Sequence, residues 1–176
     1  MKDTVVLPNL KLFVGKSPPS VATMELTSPV CSAIGWPSYA LWGGDMKRYY
    51  LVNTNRTHRP SEERRMLRHS QLSAQYGPKK RIDLIKKGDI VFLYRNIEGV
   101  VAYGIADGNL IIGDFEGHKD EQHFMHVDRF RIIKPPIKPS EITKLSNRMA
   151  STGVFYARTV SPLQPEVGRA LLRLFK

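Results

Sequence analysis

From Met46 onward the apolar positions fall into short, well-spaced runs, and before it they do not. Residues 48–53, Arg-Tyr-Tyr-Leu-Val-Asn, are aromatic and β-branched and predict a strand. Residues 55–60 are polar and predict a loop. Ser61 followed by Glu62 and Glu63 marks a helix start, because acids in the first turn meet the positive end of the helix dipole; this helix is expected to run to about His69. Residues 71–80, closed by Gly77-Pro78, predict a loop. A short helical turn is expected over 82–87, a turn at Gly88-Asp89, and a strand over 90–94. A tight connection at 96–99 leads to a strand over 100–106, which makes the two strands a hairpin.

Further on the pattern loosens. Residues 107–120 predict a loop holding one apolar run, Leu110-Ile111-Ile112. Residues 122–133 alternate as a long strand, with Phe124, His126, Asp128, Phe130 and Ile132 on one side. Pro135, Pro136 and Pro139 are expected to break the chain before a short helix over 140–145. A final strand is expected over 152–159. Pro165 then opens a helix over 166–175 whose Val167, Leu171, Leu174 and Phe175 share one face. Five or six short strands with helices between them predict an α+β domain over 46–176, a small β pseudo-barrel with peripheral helices. Residues 1–45 hold Pro8, Pro18, Pro19, Pro29 and Pro37 and show no sustained period. They predict a poorly structured leader, disordered or loosely attached, with no apolar core of a signal peptide.

Charge sharpens this division. The net charge is +11. Lys2, Lys11 and Lys16 balance Asp3, Glu25 and Asp45 in the leader, so the whole excess lies in the domain. A polyanion, most commonly nucleic acid, suits such a surface; the bland alternative is a basic surface that aids solubility. No apolar run approaches the ~18 residues that span a membrane. Cys31 is the single cysteine, which excludes an intramolecular disulfide and a Cys-based zinc site. A reduced, cytoplasmic setting is the default expectation.

Enzymatic motifs are lacking. There is no GxxxxGK[ST] loop, no GxGxxG fingerprint and no GxSxG elbow. His118, Asp120, Glu121, His123 and His126 suit a metal by type, but His123 and His126 are three apart and point to opposite faces of a strand. Asp83 and Asp89 both sit near turns. No catalytic residue, metal or cofactor is therefore expected. The basic residues do cluster. Arg56, Arg59, Arg64, Arg65 and Arg68 gather in the first loop and helix, and Lys79, Lys80, Arg81, Lys86 and Lys87 follow. Tyr50, Asn53, Asn55, Gln71, Gln75 and Tyr76 lie among them. Cations neutralise phosphates, aromatic faces stack on unpaired bases, and amides read base edges. For Arg64 and Lys86 taken singly, a solvated charged helix is the simpler reading.

Four stretches carry a resemblance. Residues 48–53 resemble the opening strand of EVE domains, members of the PUA-like superfamily. Residues 85–94, Ile-Lys-Lys-Gly-Asp-Ile-Val-Phe-Leu-Tyr, are similar to that family's lysine-rich Gly-Asp signature. Residues 99–106, Gly-Val-Val-Ala-Tyr-Gly-Ile-Ala, are similar to the strand that follows it. Residues 154–159 before a closing helix match the layout. The resemblance implies a pseudo-barrel with a pocket for an extruded base: methylated or hydroxymethylated cytosine in DNA, in a restriction or defence setting with a nuclease encoded nearby, or alternatively modified RNA. By position it implies Tyr50 and Asn53 as one wall, Gln71, Ser73, Tyr76 and Gly77 as the pocket loop, and Asp89 and Tyr94 in the signature. The family often has Trp where Tyr50 stands. Arg56, Arg59, Arg68, Lys79, Lys80 and Arg81 would hold phosphates, with DNA favoured over RNA as the partner and no membrane involved.

Overall fold

The computed structural model describes residues 47–149 and 153–175; the expected leader over 1–45 lies outside them. β1 (Tyr49–Asn53) is buried on both faces, which its unbroken run of large side chains requires. Tyr50 and Val52 enter an inner core, whereas Tyr49 and Leu51 enter an outer one. β1 runs parallel to β3 (Ile90–Arg95), in register from Tyr49 opposite Ile90 to Asn53 opposite Tyr94. A parallel pair needs a long crossover. Here α1 (Pro60–Arg68), β2 (Gln71–Gln75) and a 3-10 helix (Lys79–Leu84) supply it.

β3 and β4 (Gly99–Ala106) form the expected hairpin. Gly99 is required at its start: φ is +113°, and a Cβ would lie 1.8 Å from the Ile137 carbonyl oxygen. β6 (His118–Ile137) then serves two neighbours. Its first half pairs with β2 on one side and β5 (Ile111–Phe115) on the other; its second half pairs with β4. β7 (Val160–Leu163) closes against β1. The strand order is β2-β6-β4-β3-β1-β7, with β5 beside β6. The inner core fills the concave side of this curled sheet. α2 (Pro139–Met149) and α3 (Pro165–Arg173) lie over the outer face. Gly168 lets α3 press onto β1, since a Cβ there would sit 2.1 Å from the Tyr49 ring. The protein is thus an α+β pseudo-barrel, as its hydrophobic pattern predicts.

Five expectations are corrected. The predicted loop 71–80 begins with β2, whose alternation of Gln71, Ser73 and Gln75 with Leu72 and Ala74 is that of a strand. The predicted loop 107–120 contains β5, which β6 recruits by pairing. β6 passes through Pro135 and Pro136, because they fall between the pairs Ile132–Ala102 and Ile137–Val100, where the register shifts and a missing N–H is tolerated. The strand predicted over 152–159 is displaced: 153–159 is irregular and the ladder starts at Val160. Within β6, Arg129 adopts φ +48° at a register shift. Phe130 therefore packs against the inner core while Ile132 stays 55% exposed, and the single-sided alternation expected across 124–132 is broken.

Candidate functional site

A hollow of about 110 Å³ opens where β1 ends. Its lining comes from the β1–α1 connection (Asn53, Thr54 and Asn55), from α1 (Glu62 and Met66), from β2 (Ser73, Ala74 and Gln75), and from Pro78, Ala157 and Thr159. Drug-sized sites run to roughly 300–1,000 Å³, so this space suits one small planar group. Met66, only 1% exposed, gives it an apolar surface. Ala74, Pro78 and Ala157 add small apolar surface, and the remainder is amides, hydroxyls and one carboxylate.

That carboxylate is fixed from three sides. Glu62 Oε2 accepts hydrogen bonds from Arg65 Nη2 at 2.6 Å, Gln75 Nε2 at 2.8 Å and Gln122 Nε2 at 3.2 Å. Gln75 Nε2 also reaches Ser73 Oγ at 3.2 Å. Behind them Thr54 Oγ1 donates to the buried Glu63 at 3.0 Å, and Arg95 Nε donates to the same Oε1 at 2.7 Å. Asn53 ties the walls together. Its Nδ2 donates to Asn96 Oδ1 at 2.9 Å and to the Tyr156 carbonyl at 3.1 Å, and its Oδ1 accepts the Asn55 N–H at 2.8 Å. These bonds orient polar groups before any ligand arrives, the preorganisation a selective polar site needs.

Of the pocket residues expected from sequence, Asn53 and Ser73 line the hollow. Gly77 sits in the turn between lining residues Gln75 and Pro78, with open space at its Cα. Tyr76, in the same turn at φ +57°, turns away. Its hydroxyl donates to Glu116, its ring meets Phe115 edge-on at 5.7 Å, and the Arg59 guanidinium lies 5.0 Å from both ring centroids. The Glu116 bond pushes the Tyr76 phenol up and holds the Glu116 carboxyl below its usual range.

Besides Tyr76 and Gly77, four more of the expected residues do not line the cavity. Tyr50 is a core side chain whose hydroxyl reaches the Leu84 carbonyl at 3.4 Å; burial pushes its phenol up. It cannot stack on a ligand in this hollow. Gln71 is buried at the far end of β2, opposite His126, and its amide nitrogen has no partner among the described residues. Asp89 is a structural clamp. It accepts two bonds from Arg48, at 3.1 and 2.8 Å, and the Lys86 N–H at 2.7 Å. Tyr94 packs on Tyr156 with centroids 5.0 Å apart.

The expected phosphate contacts also divide. Arg56 pairs with Glu63 and Glu98, Arg59 with Glu116 at 2.7 Å, and Lys79 with Glu121 at 2.9 Å. These cations are already neutralised locally. Arg68, Lys80 and Arg81 are exposed and have no carboxylate partner among the described residues, so they can meet an external anion. Thr54, Glu62, Ala157 and Thr159 entered the site unannounced, because they converge from segments far apart in sequence. For β2 a signal existed: its polar alternation faces a hollow rather than water. His123 and His126 are split between faces as expected; His123 is buried and bonds Asp83 through Nδ1 at 2.6 Å, which fastens the 3-10 helix to β6. Among the described residues no three metal-ligating side chains come together, and no helix is long and apolar enough to cross a membrane.

Fold and cavity together define a class, a small α+β pseudo-barrel with a polar-rimmed hollow at its strand ends. No family model and no curated protein matches the chain, so the resemblance to EVE domains rests on the four sequence motifs alone. Among solved structures the chain is similar to the YTH domain of Zygosaccharomyces rouxii MRB1 in complex with N6-methyladenosine RNA. Identity is 16%, the TM-score is 0.53, and 76% of this chain and 89% of that one are covered. It is also similar to the Pho92 YTH domain in complex with m6A, at 17% identity and a TM-score of 0.50, covering 76% and 85%. At these identities the likeness is one of fold.

Proposed function

We propose that this protein is a non-catalytic reader of a modified nucleobase in single-stranded RNA. The observation that carries the reading is the preorganised hollow of about 110 Å³, apolar at Met66 and edged by Asn53, Ser73, Gln75 and Glu62. A neutral base can lose its water there and exchange it for fixed donors and acceptors, while an added methyl gains apolar contact. Burying one methyl contributes about 0.8 kcal/mol, close to a fourfold preference. The unpaired cations Arg68, Lys80 and Arg81, within a net charge of +11, supply attraction to phosphate that does not depend on sequence. The two YTH domains of this fold hold N6-methyladenosine RNA and m6A, which favours RNA over the DNA expected from sequence. Nothing in the fold or the cavity speaks for a restriction setting or a nuclease partner.

The test is fluorescence anisotropy with a 9-nucleotide RNA carrying N6-methyladenosine or adenosine at its centre. The methylated RNA should bind at least fourfold more tightly, and both affinities should fall steeply with salt. Ala157→Trp, at an exposed position on the lip, should fill the hollow and abolish the methyl preference. Equal affinity for the two RNAs, and for a panel of other modified bases, would overturn the proposal.

A further inference from the structure

The segment 153–159 forms one lip of the hollow, and its inner and outer sides differ. The inner side is fully engaged. Ala157 and Thr159 line the cavity. The Tyr156 carbonyl takes a bond from Asn53, and the Thr159 carbonyl takes one from the Asn53 N–H at 2.9 Å. The Tyr156 ring lies on Tyr94, and its hydroxyl donates to the Pro139 carbonyl at 3.1 Å and lies 2.9 Å from Thr143 Oγ1. Ser161 Oγ donates to the Phe155 carbonyl at 2.5 Å. Phe155, Tyr156 and Thr159 of this short loop are thereby pinned.

Among the described residues the outer side is unused. The Phe155 side chain is 53% exposed although it is wholly apolar. Arg158 places its guanidinium carbon 4.2 Å from the Phe155 ring centroid and has no carboxylate partner among the described residues. Another Arg–aromatic cluster among the described residues differs in kind. There Arg59 is wedged between Tyr76 and Phe115 and neutralised by Glu116. A half-exposed ring carrying an unneutralised guanidinium, on a loop held in place by its neighbours, has the two features that single-stranded nucleic acid uses: a flat π face for a base and a cation for the phosphate beside it.

We infer that Phe155 and Arg158 form a second subsite, a stacking platform for the nucleotide next to the one held in the hollow. This rests on the proposed RNA reading and deepens it. Phe155 and Arg158 flank or adjoin the lining residues Ala157 and Thr159, so a chain leaving the hollow over this lip meets the platform at once. The platform is blind to the modification. It holds any base, through a face every base has, and raises affinity for oligonucleotides without altering methyl preference. The requirement it imposes is that the neighbouring base be unpaired, which restricts the ligand to single strands.

The test uses the same pair of 9-nucleotide RNAs, with 2-aminopurine placed in turn on either side of the central adenosine, and free N6-methyladenosine as a ligand without neighbours. Phe155→Ala should weaken both RNAs about 5- to 10-fold, leave their ratio unchanged and leave nucleoside binding unchanged. It should also relieve the 2-aminopurine quenching seen with the unaltered protein at one flanking position. Phe155→Tyr should restore both affinity and quenching, and Arg158→Ala should weaken binding and flatten its salt dependence. If the protein prefers methylated RNA but Phe155→Ala stays within twofold and quenching persists, the platform is refuted and the hollow stands. If Phe155→Ala weakens binding of RNA that shows no methyl preference, the platform stands and the reading of the hollow falls. Loss of nucleoside binding in Phe155→Ala would refute a separate subsite.

Discussion

Asn53→Ala isolates the tether between the two walls of the hollow. The side chain makes three hydrogen bonds, of 2.9, 3.1 and 2.8 Å, to Asn96, to the Tyr156 carbonyl and from the Asn55 N–H. Each net bond contributes about 0.5–1.5 kcal/mol. Asn53 is half-buried, so water can take over part of this work, and a total near 2 kcal/mol is expected. For a domain of this size that corresponds to a fall in Tm of roughly 6–8 °C. Thermal unfolding followed by circular dichroism, with urea titration beside it, measures the change. Asn96→Ala removes one of the three bonds and should cost about a third as much. Asn53→Asp keeps the acceptor for Asn55 but loses the donor toward both Asn96 and the Tyr156 carbonyl and sets a carboxylate oxygen against that carbonyl, so it should cost at least as much as Asn53→Ala. A Tm for Asn53→Ala within about 2 °C of the unaltered protein would show that the three bonds are not formed together in solution, and the rigid lip on which Phe155 and Arg158 depend would lose its basis.

Three other outcomes follow from the same geometry. Glu63→Gln removes the buried charge shared by Thr54, Arg56 and Arg95; the expected loss by urea unfolding is about 2–3 kcal/mol, below the ~3–5 of a fully buried pair because Arg95 keeps Glu98. Gly168→Ala drives a methyl into the Tyr49 ring, so α3 must shift, at roughly 1–3 kcal/mol by the same assay. Burial pushes the phenols of Tyr50, Tyr94 and Tyr156 up; their contribution to stability is whole below the ordinary value of about 10 and is lost as pH rises from there toward the folded-state values, so ultraviolet difference titration should show these three ionising late and unfolding setting in as they do.

What was legible in the sequence followed from strong local patterning. β1, β3 and β4 are continuous apolar runs closed by turn residues, and they appear almost where expected. β2 was missed because its five residues include two glutamines and a serine. Such a polar face ordinarily means solvent, and here it means a cavity that only the fold creates. β5 was missed because Ile111 and Ile112, 38% and 50% exposed, are held by pairing with β6 rather than by burial. The site was half legible. Asn53 and Ser73 line the hollow, while Tyr50 and Tyr94, also expected at the pocket, pack in the core. The sequence does not show which of the clustered cations are already paired, because separation along the chain hides carboxylates such as Glu98 and Glu116 that lie 42 and 57 residues from Arg56 and Arg59. Phe155 and Arg158 were visible as residues but were assigned to a strand, which would have alternated them across a sheet instead of leaving both on one outer surface.

The pairing of β7 with β1 has a consequence for how the molecule comes into being. The strand that flanks β1 opposite β3 is supplied more than a hundred residues later, and β3 itself waits for an intervening helix and strand. Partners so remote along the chain are slow to meet. During synthesis the first strand therefore leaves the ribosome long before its final neighbour exists, with one hydrogen-bonding edge bare. A nascent chain stalled short of Val160 would display that edge to any passing strand, a hazard for aggregation and a natural point for a chaperone to act.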